Sequence, residues 1–152
     1  KTNENYEIKK TVNELLQKEN MFGLSNLSFY LKFPKTVESV KKELMDFFYH
    51  ANQNGKKIVC YGAAAKGNTL LNFCQIRKES IEYVVDNNPY KQGLYLPGSH
   101  LPIKNPEEIN RTKPDFVLIL PWNIKDEIMN DISYIREWGG KFVIPIPKVE
   151  II

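Results

Sequence analysis

Residues 57–69 read KIVCYGAAAKGNT, a short apolar run followed by a glycine- and alanine-rich loop that leads into a helix-like segment. This order of strand, tight loop and helix is how a βαβ unit begins. Gly62 permits the sharp turn, Ala64 is small enough for a phosphate to approach the backbone, and Gly67 lets the helix pack close to the strand. Because the N–H groups at the start of a helix favour anions, the loop is a candidate phosphate site.

The candidate ligand contacts in this loop are consecutive: Tyr61, Gly62, Ala63, Ala64, Ala65, Lys66, Gly67 and Asn68. Lys66 adds a cation beside the N–H groups, which strengthens anion binding. The loop also fits a dinucleotide-binding pattern with Ala64 in place of the middle glycine. It does not fit a Walker A loop, because Asn68 follows Gly67 where that loop has lysine. The plainer alternative is that the two glycines only form a turn.

A second polar segment follows the next predicted strand. Asp86, at the end of that strand, is either a ribose acceptor or a solvated residue. Asn87 and Lys91 lie in the loop beyond it, where α/β proteins keep many ligand contacts. His100, farther along the same connection, is a weak candidate for a general base or a hydrogen-bond donor. No nucleophile elbow or paired carboxylates accompany it, so the sequence indicates a binding site more clearly than a catalytic one.

A third candidate pair follows a later strand. Trp122 either packs under a loop or offers a stacking face to a ligand. Asn123 is a candidate contact and a predicted N-cap of the last helix, which Gly139 is placed to end. The segment Phe142–Pro147 is predicted to leave the sheet as a final strand, because its prolines cannot continue the pairing.

Short apolar runs alternate with helical segments from residue 57 onward, which is typical of βα units. The predicted strands are Ile58–Tyr61, Tyr83–Val85, a short piece near Ile103, Phe116–Leu120 and Phe142–Ile144. The predicted helices between them are Gly67–Gln75, Pro106–Ile109 and Asn123–Trp138. Strands that are apolar on both faces belong to a covered parallel sheet. We therefore predict an α/β fold, a Rossmann-like parallel sheet with helices on both faces, preceded by N-terminal helices.

The N-terminal third has apolar residues at helical spacing. Residues 8–22 and 37–51 predict two amphipathic helices. Gly23 is placed to end the first helix and Thr36 to cap the second, with residues 25–34 as a linker.

Composition excludes several classes of protein. The chain has 152 residues, 42% hydrophobic and 26% charged, which suits one ordinary domain. Cys60 and Cys74 do not form a CxxC pair and only two histidines are present, so no metal site is expected in this chain. The net charge of +3 is spread along the helices, which argues against a nucleic-acid partner. No signal peptide or membrane-spanning run is visible, so we expect no membrane contact and a cytoplasmic location.

Several motifs occur in a fixed order over about residues 24–150. They are residues 61–72 (YGAAAKGNTLLN), Asp86-Asn87-Asn88-Pro89 with Lys91-Gln92-Gly93, Pro97-Gly98-Ser99-His100, Pro121-Trp122-Asn123 and Trp138-Gly139-Gly140-Lys141. Together they resemble the C-terminal domain of S-adenosylmethionine-dependent sugar C-methyltransferases. The resemblance implies a parent with a cysteine-rich zinc domain, a central domain that binds S-adenosylmethionine, and this Rossmann-like domain.

The resemblance also implies a role. Residues 1–24 are then a helical tail or linker from a preceding methyltransferase domain, and residues 25–152 are the C-terminal domain. This domain is expected to help hold a nucleotide-linked keto-deoxysugar. Zinc and S-adenosylmethionine are expected in the other domains, no cofactor is expected here, and the isolated fragment is expected to be inactive. Two alternatives stay open, an NAD(P)-type dinucleotide-binding module and a purely structural domain.

Overall fold

The structure, a computed structural model, describes residues 9–152. It divides between Glu38 and Ser39 into two compact units. The first unit contains helices α1 (Lys10–Phe22) and α2 (Leu27–Tyr30). Helix α3 (Phe33–Gln53) begins in the first unit and ends in the second.

The second unit carries the alternating elements that the sequence predicts. In chain order they are β1 (Ile58–Tyr61), α4 (Ala65–Phe73), β2 (Val84–Val85), β3 (Ile103–Lys104), α5 (Glu107–Thr112), β4 (Phe116–Ile119), a 3-10 turn (Trp122–Ile124), α6 (Lys125–Asp131), a second 3-10 segment (Ser133–Trp138), β5 (Lys141–Ile144) and β6 (Glu150–Ile151).

The strands form one sheet in the order β3-β2-β1-β4-β5-β6. Strands β1 to β5 are parallel, and β6 pairs antiparallel with β5. The order reverses between β1 and β4, and ligands of such sheets bind outside the carboxyl ends of the strands at this switch point. The predicted α/β fold with a Rossmann-like sheet and preceding helices is therefore confirmed.

Both faces of the sheet are covered, because alternate residues of each strand point to opposite sides. Ile58 and Cys60 of β1 pack in one cluster with buried residues of α3 and α4. Val59 and Tyr61 pack in a second cluster with buried residues of α5 and α6. Each fully buried aliphatic side chain of this kind contributes about 1.5–3 kcal/mol.

Most predicted strand boundaries are confirmed to within one residue. β1 covers the predicted Ile58–Tyr61, and β3 is the short strand predicted near Ile103. β2 begins at Val84, β4 ends at Ile119 and β5 begins at Lys141, each one residue from the predicted limit. The local apolar pattern is thus enough to locate the strands.

Gly23 and Gly139 end their helices as predicted. Their φ values are +83° and +80°, the left-handed conformation in which glycine is strongly favoured.

Three details of the N-terminal prediction change. Thr36 is not an N-cap, because α3 already begins at Phe33 and Thr36 lies inside it. The predicted linker of residues 25–34 contains α2. Ile8, the first apolar position of the predicted helical stripe, lies outside the described residues.

The last predicted helix is broken into three pieces. Ile132 leaves the helical conformation at φ −112° and ψ 31°, between α6 and the second 3-10 segment. Three isoleucines of this segment are buried all the same, since Ile128, Ile132 and Ile135 lie in the core, whereas Ile124 is 43% exposed. The prediction that Phe142–Pro147 leaves the sheet is also incomplete, because the chain turns back after the prolines and adds β6 to the edge.

Gly67 offers a direct test of how closely α4 packs on the sheet. A Cβ at this position would lie 2.5 Å from the Leu120 Cβ. We expect Gly67→Ala to lower the free energy of unfolding by about 1–3 kcal/mol through overpacking, although alanine is the better helix former by about 1 kcal/mol. Urea unfolding measures the change. Thr69→Ala, on the exposed side of the same helix, is the control and should change stability by less than about 0.5 kcal/mol. Equal stability of Gly67→Ala and the wild type would contradict the close packing.

Candidate functional site

Most predicted site residues meet at one edge of the sheet, where the parallel strands β1, β2 and β4 end. The edge is formed by three connections: residues 62–64 after β1, residues 86–93 after β2 and residues 121–124 after β4. These connections are far apart in the chain, and the strand order makes them neighbours.

The β1–α4 loop is pressed against the end of β4. Gly62 has φ +91°, and a Cβ there would lie 2.3 Å from the Pro121 Cγ. Gly67 faces Leu120 in the same way. Ala64 precedes α4 in an extended conformation and adds no side-chain cap, so the N–H groups of the first helical turn point toward the edge without a capping side chain. The glycines therefore serve packing, and the helix start keeps its attraction for anions.

Asp86 connects the loops after β1 and β2. Its Oδ2 accepts hydrogen bonds from the backbone N–H of Ala63 (2.8 Å) and from the Lys91 Nζ (2.9 Å). Its Oδ1 accepts the backbone N–H of Asn88 at 2.9 Å. The residue is only 8% exposed. Asp86 is therefore not the solvated strand-end residue that the sequence left as one possibility.

The Asp86 carboxylate is held in its ionised form. Burial by itself raises its pKa, but the hydrogen bonds from Asn88, Lys91 and Ala63, together with the Lys91 charge, outweigh burial and lower the pKa below its ordinary value. A carboxylate in this state is an acceptor and an anchor for the loops. It is poorly suited to act as a general base.

Lys91 and Gln92 complete the connection between the loops. The Lys91 Nζ also donates to the carbonyl oxygen of Ala63 at 3.1 Å. The Gln92 Nε2 donates to the backbone carbonyl oxygen of Asp86 at 2.9 Å. The ammonium of Lys91 thus lies against the β1–α4 loop on its β2 side.

Lys66 makes the corresponding connection on the β4 side. Its Nζ donates a hydrogen bond to the Asn123 Oδ1 and lies 4.7 Å from the centre of the Trp122 ring. The Trp122 ring is half-buried and faces this ammonium. Asn123 is not the predicted N-cap, because no side-chain capping bond is made at the start of α6 and its amide is bound to Lys66.

Other predicted contacts lie at the margin of the edge. The Tyr61 ring is buried in the core, where burial raises the pKa of its phenol and a hydrogen bond with the Asn87 side chain partly opposes this effect. Asn68 is half-buried, and its Oδ1 accepts the Asn72 Nδ2 at 3.2 Å. Ala65 is exposed at the first turn of α4.

His100 is not brought to this edge. Residues 93–96 pair antiparallel with residues 101–103, so the turn that carries His100 lies at the far end of a hairpin, away from the carboxyl end of β3. The turn is held there by the Asn72 Nδ2, which donates to the Pro97 carbonyl at 3.0 Å. His100 itself is exposed and has φ +55°.

Two residues that the sequence reasoning did not select as contacts belong to the edge. Pro121 packs against Gly62, and the Gln92 side chain donates a hydrogen bond to the backbone carbonyl oxygen of Asp86. Each is next in sequence to a predicted contact, Pro121 to Trp122 and Gln92 to Lys91. This adjacency is the sequence feature that could have identified them.

The placement of the histidine, cysteine and acidic side chains bears on metal and thiol chemistry in the described part of the chain. Within residues 9–152, no group of three histidine, cysteine, aspartate or glutamate side chains is placed to hold a metal ion. Both cysteines are buried, and burial raises the pKa of the Cys60 thiol, which makes it unreactive. No helix over these residues combines the length and the apolar character needed to cross a membrane.

The hydrogen bonds of Asp86 predict a pH-dependent loss of stability. We expect Asp86→Asn to lower the free energy of unfolding by about 2–3 kcal/mol at pH 7, because charged hydrogen bonds of a nearly buried group are lost. Since the folded-state pKa lies below the ordinary value of 3.8, the contribution is complete above about pH 5 and is lost as the pH falls through 3.8 and then through the folded pKa. Urea unfolding of both proteins from pH 7 to pH 3 should therefore show a difference in unfolding free energy that is constant from pH 7 to about pH 5 and becomes smaller at lower pH. Asp46→Asn, an exposed aspartate on α3, is the control, and a difference that grows in acid would contradict the assignment.

Similarity to known proteins identifies the family of this chain. Residues 1–147 match the profile of the family described as C-methyltransferase C-terminal domain. The chain is 33% identical over 147 residues to the C-methyltransferase NovU of Streptomyces niveus, and the match covers 97% of this chain and 35% of NovU. A solved structure, UDP-D-quinovosamine 4-dehydrogenase from Vibrio fischeri, gives a TM-score of 0.47 and 18% identity over 64% of this chain and 93% of that one. Because the family match extends over nearly the whole sequence, we conclude that the chain belongs to the C-methyltransferase C-terminal domain family.

Proposed function

We propose that this chain is part of a sugar C-methyltransferase and holds a nucleotide-linked keto-deoxysugar by its diphosphate at the β1–α4 loop. The observation that carries the proposal is the position of two ammonium groups at this loop, that of Lys91 on the β2 side and that of Lys66 on the β4 side. Family membership supports the reaction class.

The charges at the loop favour an anion. The ammonium of Lys91 is paired with the carboxylate of Asp86, whereas that of Lys66 contacts the neutral side chains of Asn123 and Trp122, so the two lysines leave a net positive charge at the loop. The start of α4 adds the partial positive charge of a helix N-terminus. Charge-assisted hydrogen bonds from ammonium and amide groups are the usual way in which proteins hold phosphates. A diphosphate is therefore the part of the ligand that this edge suits best.

Trp122 offers a surface for the nucleobase. Its ring lies beside the loop, half-buried, with Lys66 over its face. An aromatic ring of this kind stacks with a planar base once the ammonium moves toward a bound phosphate. The structure thus supports an arrangement in which phosphate and base contact neighbouring side chains.

The methyl transfer itself is proposed to need a preceding domain of the same protein. Such a domain would hold S-adenosylmethionine, which supplies the methyl group, and a zinc ion. The chain spans 35% of the length of NovU, so most of that relative has no counterpart in it. In this proposal residues 1–24 are the connection to that domain, and residues 25–152 bind and orient the substrate.

The first unit has the surface that a partner domain requires. No residue of α1 or α2 is buried. Six large apolar side chains on and near these helices are at least 51% exposed: Leu15, Leu16, Met21, Phe22, Leu27 and Leu31. Exposed apolar surfaces of this extent mark contacts with other proteins or domains. We assign this surface to the preceding methyltransferase domain.

Binding of the nucleotide part can be measured directly. We expect calorimetric titration of the chain to detect deoxythymidine diphosphate, and we expect Lys66→Glu to weaken this binding at least tenfold, because one charge-assisted hydrogen bond contributes about 1.5–3 kcal/mol. Lys78→Glu is the matched control, since Lys78 is exposed and lines a hollow with Ile58 and Glu82 near the opposite ends of the strands. Equal losses of affinity in the two variants would show that the β1–α4 loop does not bind the diphosphate.

An activity assay tests whether this chain only binds the substrate while a preceding domain transfers the methyl group. The chain alone, incubated with S-adenosylmethionine and a deoxythymidine-diphosphate-linked keto-deoxysugar, is expected to form no methylated sugar and to show no binding of S-adenosylmethionine. Mass spectrometry of the nucleotide sugar measures the first expectation and calorimetry the second. Methylated product from the chain alone would overturn the proposal that this part only binds and orients.

A dinucleotide-binding module is the second candidate, because the strand order and the Gly62-x-Ala64-x-x-Gly67 spacing are those of dinucleotide-binding sheets. The hydrogen bonds of Asp86 oppose it, because they occupy the carboxylate that a ribose would need.

A further inference from the structure

Asp86 stands where dinucleotide-binding sheets carry a ribose acceptor. In those sheets an acidic residue at the end of the second strand accepts hydrogen bonds from the ribose hydroxyls of the cofactor. Asp86 directly follows β2, and its backbone N–H bonds to the Lys104 carbonyl at the end of β3. The position of the carboxylate therefore raises the question of what it binds in this chain.

The acceptor capacity of the carboxylate is nearly used up. A carboxylate offers about two acceptor sites on each oxygen. On Oδ2 both are taken, by the Ala63 N–H and the Lys91 Nζ, and on Oδ1 one is taken by the Asn88 N–H. The Asp86 side chain is 12% exposed. A ribose that used both oxygens would have to displace Lys91, because only Oδ1 has an acceptor site left.

The β1–α4 loop also makes contacts on its β4 side. Gly62 packs on Pro121, and Lys66 reaches across to Asn123 and Trp122. These contacts lie at the switch point between β1 and β4, where the pyrophosphate of a dinucleotide crosses in folds of this order. At this switch point the Lys66 ammonium can turn to a phosphate, so the contact that a dinucleotide would have to break is the one between Asp86 and Lys91.

We propose that the Asp86–Lys91 ion pair fills the place of a dinucleotide's ribose and so restricts this edge to the phosphates of a mononucleotide-linked ligand. Lys91 is the specificity-determining residue, because its ammonium occupies the ribose acceptor. Asp86 is a positioning residue, which acts through Ala63 and Lys91 and touches no ligand. The ligand class rests on the proposed function, whereas the exclusion of a dinucleotide rests on the ion pair alone.

The test is a calorimetric comparison of deoxythymidine diphosphate and NAD on the full chain. The wild type is expected to bind NAD at least tenfold more weakly than deoxythymidine diphosphate. Lys91→Ala opens Oδ2 and is expected to raise the ratio of NAD affinity to deoxythymidine diphosphate affinity at least tenfold, because both ligands lose the same ammonium and only NAD gains an acceptor. The double variant Asp86→Asn/Lys91→Ala is expected to lose this gain, because the vacated acceptor is no longer a carboxylate.

Lys104→Ala is the matched control. Lys104 forms an ion pair of the same length with Glu108, 2.9 Å, at the end of the neighbouring strand, and its side chain is 38% exposed against 39% for Lys91. It should leave the affinity for NAD unchanged. Urea unfolding of each variant confirms that it folds, and Lys91→Ser, with the same expectation, replaces any Lys91→Ala protein that does not.

Two results would overturn the inference. One is binding of NAD to the wild type as tight as that of deoxythymidine diphosphate and weakened by Asp86→Asn. The other is a ratio of NAD affinity to deoxythymidine diphosphate affinity that Lys91→Ala does not raise. Failure of deoxythymidine diphosphate to bind the wild type would refute the proposed function instead, and the NAD series would still decide the role of the ion pair.

Discussion

The carboxylate of Asp86 is the interaction on which the arrangement of the candidate site depends. It receives one backbone N–H from the loop after β1, one from its own loop, and the ammonium of Lys91. Because these donors come from both loops, one side chain holds two connections in a single conformation. The N–H of Ala63 is thereby turned inward to Asp86, and the ammonium of Lys91 is kept at the loop. A carboxylate with this many charged and neutral donors stays ionised, which preserves the arrangement at neutral pH.

Close packing sets the other side of the same loop. Gly62 and Gly67 approach Pro121 and Leu120 so closely that no side chain fits between them. Close approach brings the start of α4 up to the end of β4, and this is what allows Lys66 to reach Asn123 and Trp122. The glycines that looked like a phosphate signature in the sequence thus have a packing role in the structure. The two roles are compatible, because a backbone packed tightly on one side can present its N–H groups on the other.

Much of the fold was predictable from local sequence. The strands β1, β3 and β4, and the helix ends at Gly23 and Gly139, follow from short apolar runs and from single glycines, which act through their immediate neighbours. The sequence-based predictions were wrong where contacts with residues distant in the chain outweigh the local conformational preference. Asn123 has the chemistry of an N-cap, but its amide is bound to Lys66, which lies 57 positions earlier in the chain. The helix expected over residues 123–138 breaks at Ile132, while Ile128, Ile132 and Ile135 still lie in the core.

The amino-acid sequence by itself determined the alternation of strands and helices, the glycine loop after β1 and the set of polar residues after β2 and β4. These features depend on backbone preference and on apolar spacing, which act over a few residues. Only the tertiary structure decided which polar groups bind each other. The partners of Asp86, the reach of Lys66, the distance of His100 from the edge and the return of β6 all depend on strand order and on contacts between remote segments. A hydrogen-bonding residue in a sequence has many possible partners, and the packing of the sheet selects among them.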